Sequence, residues 1–169
     1  MNIHPIIVHF PIALLVCYAI IEILPLTKWY PRFPWDPIKL FLVLFGTVGA
    51  VAALGTGSLA EHSSQWTLRN VLGLHKSFAG ISTLIFGIIT ATYFIRWFFQ
   101  QYPGLFVGAL SALSFLKNIA DFILKRRIVI PLALMGLVAI LVTGILGGII
   151  VYGPNLDPFT KFIYSVFFG

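Results

Sequence analysis

Long apolar segments separated by short polar stretches dominate this chain, and four of them are long enough to form membrane-spanning helices. A spanning helix needs about 20 predominantly apolar residues. Pro5 and Pro37 stand in the first turns of two segments, where the missing N–H of proline does little harm. The predicted spans cover residues 5–24, 38–60, 71–98 and 128–152. The pattern predicts one all-α domain over residues 1–169, a four-helix transmembrane bundle.

Two further segments are amphipathic and lack an apolar run long enough to span. In residues 105–124 the polar positions recur every three or four residues, and Lys117 and Asp121 share that face. Residues 158–168 follow a helix-starting Asp157, and their apolar stripe consists of Phe159, Phe162, Ile163, Val166 and Phe167. We expect an interfacial amphipathic helix between helices 3 and 4 and a short C-terminal interfacial helix. The second lies on lipid or docks on a partner; the sequence leaves both open.

Composition excludes a soluble domain and several kinds of site. The chain is 59% hydrophobic and 9% charged, with a mean hydropathy of +1.00. Its single cysteine, Cys17, excludes an internal disulfide and a cysteine-based zinc or iron–sulfur site. No zinc-protease motif, phosphate loop or nucleophile elbow is present. Glu22 is the one carboxylate inside a predicted span, which disfavours an ion-coupled transporter. We expect an electron-transfer or accessory subunit rather than an enzyme.

The distribution of lysine and arginine predicts the orientation. Cytoplasmic loops carry an excess of these residues. One side of the predicted bundle receives Lys28, Arg32, Lys39, Arg96, Lys117, Lys125, Arg126 and Arg127. The other receives Arg69, Lys76 and Lys161. We therefore expect the first set in the cytoplasm and both termini outside it. The net charge of +6 is a topology signal beside apolar runs, so no nucleic-acid partner is expected.

The four histidines fall at one end of the predicted helices. His4 and His9 open the first apolar segment, His62 closes the second and His75 begins the third. An antiparallel bundle brings these helix ends to one membrane face, which the charge distribution makes the outer one. Ionisable groups at membrane depth are expensive and are often functional. The alternative is that these histidines are interfacial polar caps, and for His4 and His62 it is the stronger reading.

His9 and His75 are the candidate axial ligands of a b-type haem near this outer face. His4 and His9 point about 140° apart on a helix, so they are not expected to hold one metal together. His9 and His75 each lie about one turn inside a helix, at similar depth, and neutral imidazole ligates iron well. Gly73 and Gly80 would leave room for the macrocycle, although packing explains them equally well. Arg69 and Lys76 are candidate contacts for the propionates, and His4 and His62 are secondary ligands or hydrogen-bond donors. A quinone head group is the competing ligand.

The opening His4-Pro5-Ile6-Ile7-Val8-His9-Phe10-Pro11 resembles the start of a bacterial family of four-helix membrane proteins, catalogued as domain of unknown function 2231. His75 and the ending Gly147-Gly148-Ile149-Ile150-Val151-Tyr152 extend this resemblance over most of the chain. Some family members are joined to redox modules, which implies a respiratory or electron-transfer setting. We expect the protein in the bacterial inner membrane, and the lysine and arginine distribution predicts that both termini are periplasmic. The family often has a histidine after the Val-Tyr pair, where this chain has Gly153.

Two functions from different classes follow. The first is a haem b-binding electron-transfer subunit of a respiratory or photosynthetic-type complex, with its site near the periplasmic face. The second is a non-catalytic structural or accessory subunit of a larger membrane complex. The expected partners are the lipid bilayer, other membrane subunits and, for the first function, a periplasmic redox protein.

Overall fold

A computed structural model of the protein describes residues 4–62, 69–103, 113–155 and 157–168. These residues form helices and contain no strand. The helices are α1 (His4–Ile23), α2 (Leu26–Trp29), α3 (Trp35–His62), α4 (Arg69–Gln101), α5 (Ser114–Ile123), α6 (Arg126–Tyr152) and α7 (Pro158–Phe168). The prediction of an all-α protein is confirmed for these ranges. The short α2 was not predicted.

Within the described ranges, three helices are long and apolar enough to cross a membrane. The candidate spans are Trp35–Gly57, Arg69–Gln101 and Arg126–Tyr152. Helix α1 is apolar too, but its apolar segment Ile7–Ile23 is shorter than these three spans. The helices α3, α4 and α6 extend beyond the predicted spans at one or both ends, because aromatic and polar residues continue each helix past its apolar run. In the segment 105–124, residues 105–112 lie outside the described part of the chain.

The four long helices pack in an antiparallel ring in the order α1, α3, α4, α6. Helix α1 contacts α3 and α6, and α4 contacts the same two helices, so α1 and α4 stand diagonally opposite. The antiparallel register is visible in contacts between the end of one helix and the start of the next, such as Glu22 with Lys39 and Ile23 with Arg126. The starts of α1 and α4 and the end of α3 therefore lie at one end of the molecule, which we call the histidine end.

The centre of the ring is filled by aromatic and aliphatic side chains. Tyr18 from α1 packs edge-on against Phe86 and Tyr93 from α4, with ring centroids 6.1 Å apart in both pairs. Leu15 and Val43 are fully buried in the same cluster. In lipid, packing of this kind, rather than exclusion from water, holds helices together.

One polar contact joins α3 and α4 within this apolar interior. The hydroxyl of Thr90 donates to the backbone carbonyl of Val43 at 3.1 Å. The Thr47 hydroxyl lies 2.9 Å from that of Thr90 and is then its donor. Each hydroxyl thereby has a partner, which a group buried in a membrane protein requires.

Helix α5 lies against α4 and has three distinct faces. Ala120 is buried against the bundle, whereas Phe115, Ile119 and Phe122 form an exposed apolar stripe at helical spacing. The polar side chains of Lys117, Asn118 and Asp121 are exposed. This is the amphipathic pattern expected for residues 114–123.

Helix α7 returns to the histidine end and packs there. The Asp157 carboxylate accepts hydrogen bonds from the backbone N–H and the hydroxyl of Thr160, which cap the helix and lower the pKa of Asp157 below its ordinary value. Tyr164 and Phe168 pack on a cluster formed by Val71, Leu146 and Ile149 of α4 and α6. Tyr164 and Phe168 lie outside the apolar stripe expected to meet lipid or a partner, and most of that stripe remains exposed.

Close helix approach in the bundle depends on particular glycines. A Cβ at Gly46 would lie 2.6 Å from Leu15, and one at Gly136 would lie 2.8 Å from the Phe86 ring. A Cβ at Gly144 or Gly148 would meet nothing within 4 Å. The Gly144-x-x-x-Gly148 spacing is typical of packing stripes in membrane helices, but in the described residues it faces no neighbouring helix.

Gly136→Ala is expected to destabilise the protein by about 1–3 kcal/mol, because the buried Phe86 ring cannot move away freely. Gly144→Ala is the matched control on the same helix. It is expected to be neutral or to stabilise by up to about 1 kcal/mol, since alanine favours helix and nothing crowds its side chain. Thermal unfolding in detergent measures both changes. Equal stabilities of the two variants would contradict the packing described for α4 and α6.

Candidate functional site

His75 lies on the inner face of α4, about two turns from its start. It shares this face with Ser82, Phe86 and Tyr93, which are buried, because their spacing from it is close to whole turns. Its imidazole Nδ1 lies 2.9 Å from the backbone carbonyl oxygen of Thr143 on α6. A carbonyl can only accept, so Nδ1 carries the proton and donates. In a neutral ring this leaves the lone pair on Nε2.

The small residue beside the His75 ring is on α6, not on α4. A Cβ at Gly147 would lie 3.4 Å from Cε1 of His75, so the imidazole rests on this glycine. Gly73 and Gly80, expected to clear space next to His75, are offset from it by about half a turn on α4. A Cβ at either would meet open space. They face away from the His75–α6 contact.

His9 lies on a different side of its helix from the bundle interior. The inward face of α1 is defined by the buried Pro11, Leu15, Tyr18 and Glu22. His9 precedes Pro11 by two residues, which turns its side chain by about 200°, and it is exposed. Since α1 and α4 are also diagonal in the ring, the fold does not bring His9 and His75 onto facing surfaces.

The other candidate residues are at the same end of the molecule. His4 begins α1 and His62 ends α3, and their side chains lie outside the described part of the structure. Arg69 and Lys76 are exposed near the start of α4. Within the described ranges, no three His, Cys, Asp or Glu side chains come together as a group that could hold a metal ion. The haem site expected from the sequence needs only two histidine ligands, so the absence of a group of three from the described ranges does not test it.

The opposite end of the bundle contains a buried ion pair that was not predicted from the sequence. The Lys39 ammonium lies 3.0 Å from Oε2 of Glu22, and the two residues are only 6% and 5% exposed. The Tyr93 hydroxyl donates to the same oxygen at 2.8 Å. Three helices, α1, α3 and α4, thus meet at one carboxylate.

Lys39 corrects the charge assignment. It was counted among the loop cations that set the orientation, but it lies inside α3 and points into the bundle. Without it the first set has seven members instead of eight, against three, so the orientation argument keeps its direction. Lys39 lies about one turn inside α3, which begins at Trp35, and this position could have indicated that it is not a loop residue.

The chain matches a family model described as a predicted membrane protein (DUF2231) over residues 1–156. The chain belongs to the DUF2231 family. No curated protein and no solved structure matches it. The DUF2231 match covers α1 to α6, and α7 begins just after it.

The family resemblance leads to the expectation of a histidine where this chain has Gly153, and the fold gives a local reason for the glycine. Gly153 follows the last residue of α6 and has φ of +86°. Residues with a side chain rarely adopt this conformation. A histidine at this position would strain the end of the helix as it is formed in this chain.

Proposed function

We propose that the protein is a haem b-binding, electron-transfer subunit of a larger membrane complex. The observation that carries the proposal is the His75 imidazole, which lies on the inner face of α4 and is oriented by the Thr143 carbonyl. A backbone acceptor on one ring nitrogen is the usual partner of a metal-bound histidine, because it fixes the tautomer and the ring direction.

The residues at the histidine end fit such a group in the following roles. His75 would hold the iron through Nε2, while the Thr143 carbonyl keeps the ring in place. Arg69 and Lys76 are exposed at the same end, where cationic side chains can meet propionates. When bound, the haem supplies reversible one-electron chemistry. A second ligand would come from one of the remaining histidines, of which His9 is exposed on α1 and does not face His75 in the fold described above.

An absorption spectrum of the protein purified from haem-replete cells tests this proposal. We expect a Soret band and, after reduction, the sharper bands of a b-type haem. Incubation with haemin should restore the Soret band in protein that has lost the group. A protein that shows no Soret band after either treatment would refute the proposal.

The second candidate is a non-catalytic accessory subunit, and the outer face of α7 favours it. Phe159, Phe162 and Val166 are each about 60% exposed, whereas the inner face of the same helix is already packed on α4 and α6. An apolar surface of this kind meets lipid or another membrane subunit. Persistent copurification with a large complex, without a Soret band, would support this function instead.

We also propose that α1 is a fourth span, that α5 lies along the cytoplasmic interface, and that both termini are periplasmic in the bacterial inner membrane. The seven remaining basic residues support this orientation. In a Cys17→Ala background, cysteines at positions 2 and 70 should react with a membrane-impermeant maleimide in intact cells. Cysteines at positions 32 and 117 should not react until the membrane is opened. The reverse labelling would invert the model, and equal labelling at positions 2 and 32 would exclude a crossing by α1.

A further inference from the structure

The carboxylate of Glu22 is surrounded by groups from three helices, and this arrangement has no part in the proposed haem site. We call Tyr18, Glu22, Lys39 and Tyr93 the Glu22 site. It lies at the end of the bundle opposite to His75. An ionisable pair enclosed in a membrane protein is costly to assemble and often marks a path for ions or protons.

The contacts in the site are unevenly distributed. Lys39 and Tyr93 both approach Oε2 of Glu22. The Tyr18 hydroxyl belongs to a fully buried side chain on the same face of α1, one turn before Glu22, and among the described residues no atom is placed to form a hydrogen bond with it. Its ring packs edge-on against Tyr93. Leaving a buried hydroxyl without a partner is costly, so a partner in a second state of the site would explain why this hydroxyl is retained.

Lys39 has two places in which its charge can be satisfied. Its ammonium lies on Glu22 in the structure, but the residue is about one turn from the start of α3. The exposed pair of Arg96 with Asp36, at 3.4 Å, marks where this end of the bundle meets the aqueous phase. The four-carbon stem of a lysine can carry its ammonium over such a distance to water.

The other charged groups near the site do not compete for the carboxylate. From α6, Arg126 donates to the backbone carbonyl of Ile23 at 3.3 Å and is exposed. From α3 and α4, Asp36 and Arg96 pair with each other at the rim. Among the described residues, Lys39 is the cation that is buried against Glu22.

We propose that Glu22 is a proton-binding site at which a proton and the Lys39 ammonium exchange. A hydronium ion from the aqueous phase at this end gives its proton to a Glu22 carboxylate oxygen and leaves as water. Lys39 moves outward with its charge, and the Tyr18 hydroxyl donates to the neutral carboxyl group in its place. The buried site is electrically neutral before and after the exchange, so neither state leaves a lone charge in the bundle.

Infrared spectroscopy of the full chain in lipid vesicles, recorded in D₂O across a pH series, tests this exchange. We expect a carboxylic-acid C=O band to appear as the pH falls and to be missing in Glu22→Gln. Asp157→Asn is the control, because that carboxylate is exposed outside the bundle and its removal should leave the band in place. A spectrum in which no band depends on Glu22, over the pH range in which the helices stay folded, would overturn the proposal.

Two variants test the roles of the neighbouring side chains. Lys39→Met should give the band throughout the pH series, because a buried carboxylate without its cation takes up a proton. Tyr18→Phe should weaken proton binding about fivefold, since the neutral carboxyl group loses one hydrogen bond. An ionised Glu22 in Lys39→Met would overturn the exchange with Lys39, and an unchanged titration in Tyr18→Phe would overturn the role of Tyr18. These readouts do not depend on haem, so the two proposals can fail separately.

Discussion

Replacing His75 with alanine is expected to abolish the Soret absorbance of the purified protein. Of the two histidines whose side chains the structure describes, His75 is the one on the inner face of its helix, and a backbone acceptor orients its ring. Loss of an axial ligand removes the main bond between protein and haem. Because the ring rests on Gly147, the alanine variant leaves a space of imidazole size, and added imidazole should restore part of the absorbance.

The other three histidines provide the comparison. His9→Ala should abolish the band as well if His9 is the second axial ligand, whereas His4→Ala and His62→Ala should only shift the band or the reduction potential. If His9→Ala keeps the Soret band and either His4→Ala or His62→Ala loses it, the histidine replaced in that variant is the second ligand instead of His9. A His75→Ala protein that keeps its Soret band would contradict the haem assignment. A quinone that copurifies with the parent and not with this variant would assign His75 to a quinone head group.

Glu22→Leu is expected to lower the free energy of unfolding by roughly 2–4 kcal/mol. The change leaves the buried Tyr93 hydroxyl without its acceptor and Lys39 without its counter-ion. It also removes the contact that joins α1, α3 and α4. Lys39 can reduce the loss by extending toward water, which is why the expected value is below that of a fully enclosed pair. Unfolding in detergent, followed by circular dichroism, measures the change.

The rim pair of Asp36 and Arg96 is the matched control. Its side chains are 61% and 35% exposed, so Asp36→Asn should cost less than about 1 kcal/mol. The double variant Glu22→Leu with Lys39→Leu should recover most of the stability, because two apolar groups replace a buried pair. A Glu22→Leu protein as stable as Asp36→Asn would show that the buried pair contributes nothing to the packing of the three helices.

Helix content and approximate helix positions followed from the sequence because the bilayer leaves the backbone few choices. A segment in lipid must satisfy its own N–H and C=O groups, so a long apolar run predicts a helix without any knowledge of its neighbours. This holds for α3, α4 and α6, and the capping Asp157 predicted the start of α7 in the same local way. The short α2 escaped prediction because four residues carry too little periodicity.

The functional face of each helix was less accessible to prediction. Depth along a helix can be counted from the sequence, and the counts for His9 and His75 were similar. The side chains of His9 and His75 point in different directions. Helix α1 packs on the bundle through the face that carries Pro11 and Tyr18, and His9 on the other side of the helix therefore points outward. Gly147 supports the His75 ring, but the sequence pattern marked it only as part of the C-terminal motif that resembles the family.

The sequence by itself determined that this is a helical membrane protein with histidines at one end and a carboxylate, Glu22, within its first apolar helix. Only the tertiary structure decided that Lys39 turns inward to meet that carboxylate, that Tyr18 and Tyr93 join it from α1 and α4, and that α7 packs on its own chain. The reason is physical. Apolar length is a property of one segment, but the partner of a buried charge depends on which faces of separate helices meet, and in lipid that is set by close packing among glycines and aromatic rings.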